Sequence, residues 1–239
     1  MIRQLALAAA GAAVLSACAM PPVIEGAKGP RTEDMTADQL GQTDFNRTVT
    51  IAMRDNLASL DLLADKLYRR NPNQWRKSGA ADLPTALKRV RDSVRTGRPP
   101  AGLSGLRDIQ ILAVSLDPAY QGDRVAAFIS GLADTLIAAH GGKTRFYATD
   151  MLQGQYVYNA ARNVEAAAWM LASRRDGRGQ PLLLANEMSE AGANLSFERE
   201  FGAVIGRLDL IANLLGENTR RVGINYAQGL MFFSFLPVR

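Results

Sequence analysis

The sequence predicts an all-α fold, an irregular bundle of about six amphipathic helices, and three observations carry that reading. Apolar residues recur at alternating three- and four-residue intervals along most of the chain, the period of one helical face. Ala, Leu and Arg are abundant while aromatic residues make up only 7%, whereas strands recruit Val, Ile, Thr and aromatic side chains. Capping residues, prolines and glycines bracket each periodic stretch. With 239 residues, 47% hydrophobic and 21% charged, the composition is that of a globular protein and excludes wholesale disorder. A chain of this length buries about 70% of its unfolded surface in one core. A single helical domain over 36–239 is therefore the expected organisation, and no period of about 20–50 residues marks a solenoid.

The elements follow in order. Thr36-Ala37-Asp38-Gln39 matches a capping box, which predicts a helix from there to about Arg70. Val49, Met53, Leu57, Leu60, Ala64 and Leu67 form its stripe, and Asn71-Pro72 ends it, because a residue before proline avoids the helical region. Asp82-Leu83-Pro84 opens a second helix with Leu83, Leu87, Val90 and Val94 on one face, ended by Gly97 to Pro100. Ser104 is the expected cap of a third, carrying Leu106, Ile109, Ala113 and Leu116. Asp123 caps a fourth, with Val125, Phe128, Ile129, Leu132 and Leu136 inward and Gly141-Gly142 as its stop. A fifth, from about Asp150 to Arg174, repeats Val157, Ala161, Val164, Ala168 and Leu171. A sixth, from about Leu195 to Leu215, carries Phe201, Val204, Ile205, Leu208, Ile211 and Leu215. The last eleven residues, GLMFFSFLPVR, read as a final strand or extended segment filling a groove between helices, or else as an exposed patch that would seek a partner or lipid. No stripe reads as a membrane span: the most apolar helix carries Asp134.

The start of the chain has a different character. Arg3 is followed by an apolar run, Leu5 to Val14. That run is too short to cross a bilayer, which takes about 20 residues, and fits the apolar centre of an export signal. It ends in Leu15-Ser16-Ala17-Cys18, and Cys18 is the single cysteine. The tetrad resembles the lipobox of bacterial lipoproteins. The resemblance implies a signal peptide over 1–17, cleavage before Cys18, and acylation of the Cys18 sulfur and its amine. The Pro- and Gly-bearing stretch 18–35 then reads as a lipidated tether. Ala19, rather than Asp, implies by the enteric sorting rule that the protein is anchored to the outer membrane, facing the periplasm. With its thiol lipidated, the protein is expected to rely on packing rather than on a disulfide.

Candidate chemistry is sparse. The chain has one histidine, His140, expected at a helix C-terminus, where a protonated imidazole gains from the dipole. One His and a lipidated Cys leave no Cys/His zinc set, and no Gly-x-Ser-x-Gly elbow accompanies His140. No metal and no cofactor are expected. Gly142-Lys143-Thr144 lacks the leading glycine and the preceding strand of a phosphate loop. Glu165, beside Arg162, is the candidate acid of a carboxylate-dependent cell-wall hydrolase, although a structural ion pair is the simpler role.

Charge says more. Between Lys66 and Arg98 stand ten basic residues and two acids, Asp82 and Asp92. The chain carries a net +5, or +4 once Arg3 is removed with the leader, so the remainder is acidic and the field one-sided. Arg69, Arg70, Arg76, Lys77, Lys88, Arg89, Arg91 and Arg95 are the candidate polyanion-binding residues. An exported protein meets lipid headgroups and envelope polymers rather than nucleic acid, so no nucleic acid partner is expected. The function expected is a lipid-anchored scaffold or adaptor, binding an envelope protein or an anionic polymer or lipid. A peptidoglycan hydrolase using Glu165 is the alternative, and a part in an envelope export or transport assembly is a third.

Overall fold

The computed structural model describes residues 36–189 and 192–233. The expected signal peptide, Cys18, the tether and residues 234–239 lie outside the described residues. The fold is all-α: seven α-helices among the described residues, with one two-stranded hairpin. In chain order these are α1 (Asp44–Arg70), α2 (Pro72–Lys77), α3 (Leu83–Thr96), α4 (Asp108–Ser115), α5 (Arg124–Ala139), α6 (Gly154–Ser173), the antiparallel β1 (Glu187–Ser189) and β2 (Gly192–Asn194), and α7 (Ser196–Phe233).

α1 begins later than the Thr36 capping box suggests. Ala37–Gly41 form a 3₁₀ turn, and Thr43 is the working cap, its hydroxyl accepting from Asn46 N at 3.2 Å. Its stripe is as expected: Val49, Met53, Leu60, Ala64 and Leu67 are buried, joined by Leu63 and Tyr68. Asn71 ends the helix, and Pro72 at once starts the short α2, which sequence periodicity does not show. α3 is capped by Asp82, which accepts from Thr85 N at 2.8 Å, and ends at Gly97 in the left-handed region, φ 64°.

α4 departs from expectation. It starts at Asp108 rather than after Ser104, and its buried residues are Ile111, Leu112 and Ser115, while Ile109 is exposed. The reason is a tertiary anchor: the Asp134 carboxylate accepts from Asp108 N at 2.8 Å and from Arg107, which sets where the helix begins. α4 also lies close to α5 at Gly131, where a Cβ would stand 3.0 Å from Leu112 N.

α5 is the central helix. It packs against α1, α2, α3, α4 and α6, and nearly every residue from Arg124 to Leu136 is buried. α7 packs on α6 and α1, and Phe201 meets Phe128 edge-on at 6.4 Å. α7 runs past Leu215 to Phe233. Gly229 to Phe233, expected as an extended segment, are therefore helical. Burying each Leu or Phe of this core contributes about 1.5–3 kcal/mol.

The N-terminus of α5 is a buried polar junction. The Asp123 carboxylate accepts from Val125 N and Ala126 N, both at 3.0 Å, and from the Tyr68 hydroxyl at 2.7 Å. Burial pushes the Asp123 carboxyl above its usual range, against the lowering effect of these bonds. The buried Arg124 donates to the carbonyls of Ser115 and Asp117, at 2.9 and 2.6 Å, and to Pro118 O at 3.2 Å. Gln74 of α2 accepts from Arg124 N at 3.1 Å.

His140 caps the other end of α5. It is buried, with Nδ1 2.8 Å from Leu136 O and its ring 5.6 Å from that of Phe146. The helix dipole favours a protonated imidazole at this position, but burial lowers the His140 pKa below its ordinary 6.5. Desolvation of the cation outweighs the dipole.

Two outcomes test these contacts. Tyr68→Phe removes the donor to buried Asp123 and is expected to cost about 1–3 kcal/mol in urea unfolding. For His140, the folded state binds fewer protons than the unfolded state below pH 6.5, so its contribution is full above that pH and is lost as pH falls. Stability measured between about pH 6.5 and 5 should decline, and His140→Phe should flatten that decline.

Candidate functional site

The basic block does not stay a uniform face, because the fold brings carboxylates to it. Arg69 is paired with Asp65 at 2.8 Å and Arg70 with Glu187 of β1 at 2.6 Å. Arg91 holds Asp61 of α1 with two bonds, at 2.6 and 2.9 Å. Lys88 and Arg95 share Asp92, at 2.8 and 3.1 Å. Lys66 reaches Glu200 at 3.7 Å and Ser196 O at 3.1 Å.

Arg76, Lys77 and Arg89 are treated differently. They come together at the turn linking α2 to α3, and none forms a salt bridge with a carboxylate among the described residues. Arg89 donates to Ser78 O at 2.5 Å, and Lys77 reaches Gly122 O at 3.5 Å. Arg76 lies over the Trp75 ring at 5.2 Å and donates to Asn73 at 3.2 Å. Trp75 itself packs partly against the core. Partial burial lowers the Lys77 pKa, with the Arg124 charge adding to the effect.

The C-terminal half of α3 carries the rest of the site. Arg91 and Arg95, with Arg98 beyond the helix end, border a cavity of about 670 Å³ between α1, α3, α4 and α5. Its apolar surface comes from the partly exposed Leu57, Val94 and Ile137, backed by the buried Leu60, Val90, Ile111 and Ile129, and Ser93, Thr96, Ser130 and Thr144 line it as well. At its rim Arg107 grips Asp134 with two bonds, at 2.7 and 2.6 Å. Burial alone would raise the Asp134 carboxyl, but the bonds from Arg107 and Asp108 N–H hold it below the usual carboxylate range. The Asp61 bond raises the Arg91 pKa. Beside this pair Asp108 sits at φ 49°, the one non-glycine residue with positive φ among those described. Burial, then the Asp134 charge, raises its carboxyl pKa.

Comparison of the chain with family models, with curated proteins and with solved structures finds no match. The site is therefore read from its own chemistry.

Glu165 lies on the exposed side of α6, away from this cavity, and pairs with Arg162 at 3.0 Å. Arg162 also binds both oxygens of Asp209 on α7, at 2.9 and 2.8 Å, and stands 4.9 Å from the Tyr158 ring. Arg162 thus spans Glu165 on its own helix and Asp209 on α7. This arrangement suits a tie between α6 and α7. Among the described residues no three of His, Cys, Asp and Glu gather as a metal-ligand group. Gly142-Lys143-Thr144 follows α5 as an exposed turn, with Lys143 paired to Asp150.

The residues that periodicity could not single out are Arg98, Arg107 and Asp134. Arg107 and Asp134 are 27 positions apart in sequence, and only the α4–α5 packing joins them. The Arg162 geometry has a direct test. Glu165→Gln is expected to leave peptidoglycan zymograms unchanged from those of the parent protein, and clearing that disappears in the variant would overturn this placement.

Proposed function

We propose that the chain is a lipid-anchored envelope scaffold or adaptor, tethered through Cys18 to the periplasmic face of the outer membrane and binding a polyanionic envelope partner. The reading of Cys18 rests on the tetrad Leu15-Ser16-Ala17-Cys18 behind an apolar run. Each buried methylene of an acyl chain contributes about 0.8 kcal/mol, and two or three chains hold far longer than one. That no described helix is long and apolar enough to cross a membrane is compatible with such a tether.

The single observation that carries the binding role is the exposed cationic cluster Arg76, Lys77 and Arg89 at one turn, without salt-bridged carboxylates among the described residues. Arg69, Arg70 and Arg91 each have a carboxylate partner, and Lys88 and Arg95 share one, so much of that charge is offset within the molecule. Near an anionic surface each unneutralised Lys or Arg contributes about 1 kcal/mol, and salt screens it. Arg76 and Lys77 stand in the last turn of α2 and Arg89 donates to Ser78 O at its end, so a phosphate-bearing headgroup or polymer would meet them at one turn.

Protein lacking residues 1–17 is expected to sediment with vesicles containing an anionic phospholipid at low salt and to be released at high salt. The triple variant Arg76→Glu, Lys77→Glu, Arg89→Glu should stay in the supernatant at both. Sedimentation indifferent to salt and to the variant would remove the polyanion-binding role. Mass spectrometry of the protein from its own host tests the anchor separately: the expected species begins at an acylated Cys18.

A further inference from the structure

Interiors of bundles pack at the density of organic crystals. The solvent-open cleft of about 670 Å³ that four helices leave beside that packed interior lies within the roughly 300–1,000 Å³ of ligand pockets. Its two ends differ in chemistry. Leu57, Val94 and Ile137 present partly exposed apolar surface, backed by the buried Leu60, Ile111 and Ile129, and the mouth carries Arg91, Arg95, Arg98 and Arg107 against Asp61 and Asp134, a surplus of two positive charges among the lining residues.

The distribution of that surplus decides the sign of the ligand. Asp61 and Asp134 are each held by two bonds from Arg91 and Arg107, which leaves little acceptor capacity for a cationic guest. Arg95 has only the Asp92 carboxylate that Lys88 also uses. Arg98 has no carboxylate partner among the described residues. Its backbone is fixed: Gly97 turns the chain at φ 64°, Arg98 N donates to Ser93 O at 3.2 Å, and the Ser93 hydroxyl donates to Arg98 O. The Ser93 hydroxyl also lies 3.2 Å from that of Ser130 in the cavity wall. A guanidinium at the mouth of a partly apolar cleft matches a carboxylate or phosphate in geometry as well as in charge.

We propose that this cavity binds a single-chain amphipathic anion, its alkyl chain against the apolar walls and its carboxylate or phosphate head between Arg95 and Arg98. Free fatty acids and phosphorylated single-chain lipids share this chemistry. The site is built by α1, α3, α4 and α5 alone and does not depend on Cys18 or on the cluster at Arg76, Lys77 and Arg89.

The test is calorimetric titration of the full chain with lauric acid, dodecyl phosphate, dodecyltrimethylammonium and inorganic phosphate, all below micelle-forming concentrations. One or both dodecyl anions should bind at a single site, and which of them binds tighter separates a fatty acid from a phosphorylated lipid. The dodecyl cation and inorganic phosphate should bind at least about tenfold more weakly. The double variant Arg95→Gln, Arg98→Gln changes only exposed side chains, verified by an unchanged circular dichroism melt. It should weaken anion binding about tenfold or more, the scale of a lost charge-assisted hydrogen bond or two. Val94→Trp, in the cavity wall, should end it. Binding of the dodecyl cation as tight as that of the anions would overturn the proposal. So would failure of both anions to bind, or an affinity unmoved by the double glutamine variant.

Discussion

The start of α5 is the constraint on which the bundle depends. Asp123 and Arg124 are both buried there, 7% and 6% exposed, and a buried charge is tolerated only when its hydrogen bonds are met. Meeting them brings four elements to one place. Asp123 caps α5 and takes the hydroxyl of Tyr68 from α1. Arg124 closes the carbonyls at the end of α4 and takes Gln74 of α2 through its backbone. The helix these contacts orient is the one against which most of the others pack. Apolar burial supplies the bulk of the stability, but it is non-directional; the junction specifies which helix ends meet.

The same logic runs through the charged surface. A basic block that would repel itself as a separate helix pair is relieved by Asp61 and Asp65 of α1, Glu187 of β1 and Glu200 of α7. Exposed pairs of this kind contribute only about 0–1 kcal/mol each. Their larger consequence is to sort the arginines into those neutralised within the fold and those left facing outward. Within that block two places keep excess positive charge: the turn between α2 and α3, and the mouth of the cavity at the end of α3. A flat cationic cluster suits a polymer or membrane surface. A cationic rim over an apolar chamber suits a small guest with one charged end.

Much of the fold was legible because its signals are local. Asp82 and Asp123 cap the helices they precede, Pro72 and Gly97 stop the helices before them, and the stripes of α1, α5 and α6 are buried as their spacing indicates. The misreadings have a common cause. α4 has too few turns for periodicity to choose a face, and a bond from Asp134 on another helix sets its first residue. Thr36 satisfies a capping pattern, yet Gly41 and Gln42 interpose and Thr43 holds the bond to Asn46 N. His140 stands at a helix end as expected, but its neighbour Phe146 arrives from the following loop and desolvates it.

By itself the sequence determined the fold class, most helix boundaries, the excess of basic charge over 66–98 and the lipobox-like start, since each is written in residues within one or two turns of each other. The tertiary structure alone decided which arginines are neutralised and that a chamber exists beside α3. It also decided that Arg162 is tied to Asp209 on α7. The physical reason is distance along the chain: Lys66 and Ser196 bond across 130 positions and Arg70 and Glu187 across 117. Coulombic and hydrogen-bond partners act over a few ångströms in space, and no local pattern records which helices will be brought within that reach.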